Sequence, residues 1–362
     1  MNELEILLRE RLSHGPMTFA EYQEAALYHP NLGYYAQTQR SGWRGHFLTS
    51  AELDPSFGAL WAVGFRRSWE SLGRPASFDL IEVGPGEGGF ANSILSVVEG
   101  DFADALTYRL VEPIPSLAER QMSLLSTYDN VIWSSSISEL VPVSDGVVIA
   151  NEVLDNLPVH LLEFRSGEFA ELYVHAPDSG LELVAGPLSD PELLGLLPET
   201  GFDPTDGHRL EVSPAVVDFV RSCAAAVETG SVVFVDYGLT WRDLANRPAG
   251  TLVSYSDAGA DDRVLDRPGE KDITSHANWD VVASALRSAS FEVSGPTSQR
   301  EVLNEFGLPQ LEESLTQRQR DLTAGGRGAE ALRTLSRRQA LGALGDPNGL
   351  GGLEIVIGRR NA

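Results

Sequence analysis

Apolar residues along the first part of the chain recur at helical spacing. Residues 3–12 and 18–28 carry them every three to four positions, which predicts two short helices on either side of Ser13-His14-Gly15-Pro16. Thr18 and Glu21 have capping-box spacing for the second. An aromatic turn follows, Tyr28-His29-Pro30-Asn31-Leu32-Gly33-Tyr34-Tyr35, then a polar loop over 40–51 and an amphipathic helix over 55–72. From Phe78 the rhythm changes. Short apolar runs at 78–83, 107–112, 131–133 and 146–150 alternate with helical stretches at 89–98 and 114–125. Strands alternating with helices predict a parallel, doubly wound sheet, and the uniformly apolar 146–150 reads as a strand buried on both faces.

Period-2 alternation over 161–184 departs from that rhythm and predicts a hairpin insertion; residues 186–207, rich in Pro, Gly and Asp, read as surface loop. The alternation resumes with a helix over 214–228 and a strand over 231–236. A stretch over 238–275 looks irregular, followed by a helix at 279–288 and a strand at 291–294. Residues 310–343 are charged, helical and broken by glycine, and Leu353–Ile357 ends the pattern as a strand. The expected organisation is a helical lead-in over 1–75 and one nucleotide-type domain over 76–362. Insertions are expected at about 161–210, 238–278 and 300–348.

Charge and composition narrow the classes. Of 362 residues, 27 are basic and 52 acidic, a net of −25. Phosphate backbones need clustered Lys and Arg, so nucleic acid is not the expected partner; a basic protein segment suits the field better, although on charge alone the acidity reads first as a device of solubility. No run approaches the apolar length of a membrane span, and the charged start MNELEILLRERL has no signal-like stretch. A cytoplasmic location is the expectation. Cys223 is the only cysteine, set in an apolar helical context that suits a small core residue. The seven histidines are scattered without ligand spacing, so no metal is expected.

The chemistry concentrates after the first strand of the sheet. Glu82-Val83-Gly84-Pro85-Gly86-Glu87-Gly88 places a glycine turn between strand and helix, where the backbone can approach a nucleoside-type ligand closely. Three readings compete for such a loop: NAD, S-adenosylmethionine (SAM), and a turn that serves only strand-to-helix packing. Glu82 at the strand tip suits the methionine part of SAM. Pro85 removes an N–H that a pyrophosphate would need, and SAM carries no phosphate. Glu112, before Pro113 at the tip of the second strand, can take both ribose hydroxyls in either case. Ser136 and Ile137 follow the third strand, where they suit an adenine, although a serine there also suits a helix cap.

The motifs together resemble the MidA family of SAM-dependent methyltransferases, related to the mitochondrial complex I assembly factor that methylates a protein arginine. The resemblance rests on Leu27-Tyr28-His29-Pro30-x-x-Gly33-Tyr34-Tyr35, Phe47-x-Thr49-x-x-Glu52 and the glycine loop. It continues through Glu112-Pro113, Asn151-Glu152-x-Leu154-Asp155-x-Leu157-Pro158 and Val235-Asp236-Tyr237-Gly238, and ends on Gly250-Thr251-Leu252, Pro268-Gly269-Glu270-x-Asp272-Ile273-Thr274-x-His276 and Gly349-Leu350-Gly351-Gly352. It implies a Rossmann-like class I methyltransferase fold, α/β, with a mostly parallel seven-stranded sheet and helices on both faces. It also implies SAM as cofactor, contacts to it from Thr49, and an arginine-bearing protein acceptor such as a respiratory complex subunit. The chain departs from the family at Gly45-His46-Phe47, usually Gly-Asp-Phe, and at the acidic run 254–262, usually basic.

Methyl transfer from a sulfonium is an in-line displacement that needs alignment more than covalent help. Asn151, Glu152 and Asp155 lie just beyond the fourth strand, which faces the ligand crevice of an open parallel sheet. Asn151 is expected near the cofactor. Glu152 and Asp155 are expected to hold a guanidinium, though acids there also suit a helix cap. Asp236 and Tyr237 end the fifth strand on the same side, as substrate-facing residues. Asp272 and His276 come from the long loop, His276 as proton acceptor or as a loop hydrogen-bonding group. A non-catalytic assembly protein with a relic pocket and an NAD-dependent oxidoreductase are the competing functions.

Overall fold

The computed structural model describes residues 1–37 and 49–361. The chain divides into two compact units, one comprising Met1–Phe47, Glu152–Ser222 and Gly238–Ser288, the other Leu48–Asn151, Cys223–Tyr237 and Ala289–Ala362. The run Gly45-His46-Phe47 lies outside the described residues.

The second unit is built on a seven-stranded sheet. Its strands are β1 (Phe78–Val83), β2 (Leu106–Val111), β3 (Val131–Ser134), β4 (Val143–Asn151), β5 (Val227–Asp236), β6 (Glu292–Ser298) and β7 (Glu354–Arg360). They lie in the order β6-β7-β5-β4-β1-β2-β3. Strands β1 to β5 pair in parallel, and β7 runs antiparallel between β5 and β6. All six positions of β1 are buried, as expected of a central strand covered on both faces. Register aligns the strand tips: Val83 pairs with Val111 and with Ala150, and Asn151 pairs with Val235. The carboxyl ends of β1, β2, β4 and β5 therefore meet along one edge, the ligand side of a doubly wound sheet. The order reverses between β1 and β4, which makes this edge a topological switch point.

Helix Ser56–Ser71 supplies Phe57, Leu60, Trp61, Phe65 and Trp69 to the core of this unit, together with Phe78 and Leu80 of β1 and Phe90 of the following helix. Gly58 lets the two helices approach, since a Cβ there would lie 2.5 Å from Ser93 Cβ.

The first unit has its own core. Helix Glu3–Leu12 buries Leu4, Leu8 and Leu12, and helix Phe19–Tyr28 buries Phe19, Tyr22, Ala26 and Leu27, with Val159, Leu161, Leu172 and Val174 completing the cluster. The second helix starts on the expected capping box, Thr18 with Glu21. The hairpin expected over 161–184 is found as His160–Arg165 against Glu168–His175, with Leu162 opposite Glu171. It is part of a larger sheet: Glu182–Gly186 and Met17–Thr18 pair with its second strand, and Arg209–Val212 with its first.

The stretch 238–275 is not irregular. It contains an antiparallel three-stranded sheet, Gly259–Asp261, Val253–Ser256 and Asp272–Thr274. Strands of three or four residues rich in Ser, Gly and Asp leave no periodicity to read. Their cohesion comes from a buried lysine: Lys271 Nζ, 2% exposed, lies 2.7 Å from Asp261 Oδ1 and 3.4 Å from Ser254 Oγ. One acid of the acidic run is thus neutralised within its own hairpin.

Candidate functional site

In the second unit the chain leaves β1 at Val83 and turns through Gly84, Gly86 and Gly88, with φ of 70°, 55° and 82°. The Gly84 N–H donates to Val111 O at 3.1 Å and the Gly88 N–H to Pro85 O at 2.9 Å, which closes the loop on itself. Pro85 is buried, so its ring anchors the turn. A Cβ on Gly86 would meet nothing within 4 Å, so a cradle lies open above the loop. A Cβ on Gly88 would lie 3.3 Å from Gln121 Cγ.

Two acids flank this cradle. Glu82 is 4% exposed and accepts a hydrogen bond of 2.6 Å from the Tyr108 hydroxyl. Burial pushes its pKa up to about 7, with the Tyr108 hydrogen bond opposing and Glu112 reinforcing the rise. Glu112, 6% exposed, accepts from the Ile114 N–H at 2.9 Å and from Gln121 Nε2 at 3.1 Å. Burial raises it to about 7 as well, against those two hydrogen bonds and Arg120. Acids in this state sit near the middle of their titration at neutral pH, so a ligand that donates to them draws them into the charged form.

The remaining residues expected at the cofactor divide. Asn151 ends β4 on this edge; Asp236, expected to face the substrate, ends β5 on the same edge, fully buried and accepting from the Tyr237 N–H at 2.8 Å. Pro113 is exposed beside Glu112. Ser136 caps the turn Ile137–Glu139, accepting from the Ser138 N–H at 3.3 Å, and Ile137 begins that turn. Thr49 precedes the short helix Ser50–Leu53, and among the described residues no hydrogen bond joins it to the glycine loop. Gln121 and Tyr108 carry no role in the sequence reading. Gln121 lies nine residues beyond Glu112 on the helix Pro115–Leu124, where no local motif marks it.

In the first unit a second group of acids gathers. Glu152 has φ of 54°, a left-handed conformation that a side chain other than glycine rarely adopts and that concentrates at functional positions. The turn Leu154–Asn156 that follows starts from Val153, which makes no side-chain cap hydrogen bond. Asp155 is 5% exposed, and its carbonyl accepts from the Ser275 N–H at 2.9 Å. Asp272, 5% exposed, accepts from the Tyr35 hydroxyl at 3.1 and 3.2 Å and from Asn156 Nδ2 at 2.9 Å. Tyr35 is held by stacking on Tyr28, whose hydroxyl donates to Asn156 O at 3.3 Å. Burial raises Asp272 to about 7, against the Tyr35, Ile273 and Asn156 hydrogen bonds. Burial also raises the Tyr255 hydroxyl, reinforced by Asp155 and Asp272. Among the described residues every partner of Asp272 is neutral. His276 is lowered to about 4, chiefly by burial and then by Arg247, and its backbone N–H donates to Thr251 Oγ1 at 3.0 Å.

Residues 60–297, a range that includes the glycine cradle and its two acids, match a family model described as "Putative S-adenosyl-L-methionine-dependent methyltransferase". The chain belongs to this methyltransferase family. It is also similar to a COG1565 superfamily member from Burkholderia thailandensis whose crystal structure holds S-adenosyl-homocysteine. The two are 26% identical with a TM-score of 0.85, over 99% of this chain and 92% of that one. Relatives named protein arginine methyltransferase NDUFAF7, mitochondrial, include one from Danio rerio, 28% identical over 84% of this chain and 76% of its own length. The Caenorhabditis elegans homolog is 27% identical over 81% and 74%.

The protein is thus a SAM-dependent methyltransferase with the Rossmann-like class I fold, and the dinucleotide reading of its glycine loop falls away. Its cytoplasmic placement is overturned too, because these relatives are named mitochondrial. The charged N-terminal stretch on which that placement rested is a helix whose Leu4, Leu8 and Leu12 are buried in a core. Its pattern reports the packing of that helix. No described helix is long and apolar enough to cross a membrane.

Proposed function

We propose that this methyltransferase modifies an arginine side chain of a protein acceptor. SAM, when bound, supplies an electrophilic methyl group. The residues that would hold it are Glu82 for the methionine ammonium, the loop Gly84, Pro85, Gly86 and Gly88 for close backbone approach, and Glu112 for the ribose hydroxyls. Asn151, Pro113, Ser136, Ile137 and Thr49 would complete the site. The open space above Gly86, the missing N–H at Pro85 and the two carboxylates suit a cationic nucleoside without phosphate.

The observation that carries the arginine reading is Asp272. A carboxylate buried among neutral donors is expensive to ionise, and a cation is the ligand that most relieves the cost. A guanidinium offers two parallel N–H groups to such a carboxylate, which fixes its plane. Tyr35 and Asn156 hold Asp272 in place for that pairing. Glu152 and Asp155 would take the remaining N–H groups and receive the proton that the attacking nitrogen must lose. Asp236 and Tyr237, at the end of β5, are the substrate-facing candidates of the second unit. His276, lowered by burial, is a poor proton acceptor and serves its loop instead. The net charge of −25 favours encounter with a basic acceptor. The relatives' names support the same substrate class, and a respiratory complex subunit is the first acceptor to try.

The test is transfer of labelled methyl from SAM to protein, followed by hydrolysis and identification of the methylated residue. Methylarginine that vanishes in Asp272→Asn, while S-adenosyl-homocysteine still binds, supports the reading. Methylation of lysine, or of a hydroxyl, ends it.

A further inference from the structure

Gln121 sits at the centre of the cofactor half of the molecule, and no motif of the sequence includes it. It is fully buried on the helix Pro115–Leu124. Its Nε2 donates to Gly86 O at 2.7 Å and to Glu112 Oε2 at 3.1 Å. Its Oε1 accepts from Trp133 Nε1 at 3.3 Å. The Gly86 carbonyl and an ionised Glu112 cannot donate and the indole cannot accept, so with Glu112 charged one orientation of the amide satisfies all three neighbours and the flipped one satisfies none. Its Cγ also stands 3.3 Å from where a Cβ on Gly88 would be, so the side chain packs on the loop that it bonds.

We propose that Gln121 is the positioning residue of the SAM site, locking the glycine turn, the ribose-binding carboxylate and the wall at the end of β3 into one rigid frame. The inference rests on the reading of Glu112 and the glycine loop as the cofactor site. Each part of that frame comes from a different element: Gly86 follows β1, Glu112 follows β2, and Trp133 lies in β3. Without the amide, Gly86 O loses its donor and Glu112 loses one of its two hydrogen bonds. Glutamate at this position would set a second carboxylate against Glu112. Methionine keeps the length and volume of the side chain and removes every polar contact. Because a hydrogen bond to the ionised carboxylate favours that form, the same substitution also moves the pH at which Glu112 charges.

The experiment is calorimetric titration of the full chain with S-adenosyl-homocysteine between pH 6 and 9, with thermal unfolding recorded for every variant. Gln121→Met is expected to weaken binding at pH 7 by about tenfold or more, as loss of a hydrogen bond to a charged group implies. It should also move the midpoint of the pH dependence upward, a shift that loss of packing alone does not produce. Should Gln121→Met fail to fold, Trp133→Phe removes the indole N–H together with part of the ring and is expected to weaken binding about threefold, as for a neutral hydrogen bond, with thermal unfolding reading the cost of the smaller ring separately. A folded Gln121→Met, or in its place Trp133→Phe, with wild-type affinity and an unmoved midpoint overturns the proposal. Gly86→Asp separates the two levels. If it abolishes binding while Gln121→Met does not, only the role of Gln121 falls. If Gly86→Asp binds normally, the loop reading falls and takes this one with it.

Discussion

The Tyr108 hydroxyl lies 2.6 Å from Glu82 Oε2, with both side chains almost wholly out of water. A phenol donating to a buried carboxylate stabilises its charged form, which is the form that can receive an ammonium. Tyr108→Phe removes that donor and leaves the ring. Glu82 should then titrate above about 7, and cofactor affinity at pH 7 should fall roughly tenfold to a hundredfold, the worth of a hydrogen bond to a charged group. Affinity measured across pH checks this. Equal binding by variant and wild type at pH 7 would remove Glu82 from the site.

Gly86→Asp tests the cradle itself. A Cβ there meets no protein atom within 4 Å, and its φ of 55° is one that aspartate tolerates better than most residues. The fold should lose no more than about 1–2 kcal/mol. On the proposed cofactor site the new side chain fills the space that the ligand would take, so binding of S-adenosyl-homocysteine should drop below detection by calorimetry. A variant that melts near wild type and binds normally would show that the ligand lies elsewhere.

Much of this was legible in the chain, and what was missed has a physical pattern. β1 is found over the expected residues and the helix Trp279–Ser288 likewise, because each is bounded by strong signals: Gly84 ends the strand, and Asn278 precedes the helix. The capping box at Thr18 was readable because its two partners lie three residues apart. Gln121 and Tyr108 were not, because their roles depend on strands and helices that meet only after folding. Tyr35 was visible within the aromatic turn, but its partner Asp272 lies 237 residues on. The departure at 254–262 read as a change at the site. In the fold, Asp261 answers Lys271 and builds a hairpin.

That hairpin makes its own prediction. Lys271 is 2% exposed and Asp261 remains partly open to solvent, so the pair is intermediate between buried and surface ion pairs. Asp261→Asn leaves a buried ammonium without its carboxylate and should cost about 2–3 kcal/mol, below the figure for a fully buried pair. Differential scanning calorimetry reads this as a drop of several degrees. Lys271→Met in the same chain should recover part of it. The sign with pH also follows. Lys271 holds Asp261 well below the ordinary aspartate range. The stabilisation is therefore complete above the unfolded-state value near 4 and is lost only as pH falls further. Wild type and Asp261→Asn should converge in stability at strongly acid pH.

Glu82, Glu112 and Asp272 act in the opposite sense. Burial raises each to about 7, whereas an unfolded chain titrates them near 4. Between those values the folded protein holds protons that the unfolded chain has released, so stability falls as pH rises through the window from about 4 to 7. The ligand-free methyltransferase should melt at a higher temperature at pH 5.5 than at pH 8. On the proposed cofactor site, binding should reverse part of the trend, because an ammonium beside Glu82 and hydroxyls on Glu112 would favour the charged acids. The rise in melting temperature produced by a fixed excess of S-adenosyl-homocysteine should therefore be larger at pH 8 than at pH 5.5. In Glu112→Gln that difference should shrink, since one of the two titrating acids on the cofactor side is gone. A ligand-induced shift that is the same at both pH values would mean that neither Glu82 nor Glu112 changes its protonation when the cofactor binds.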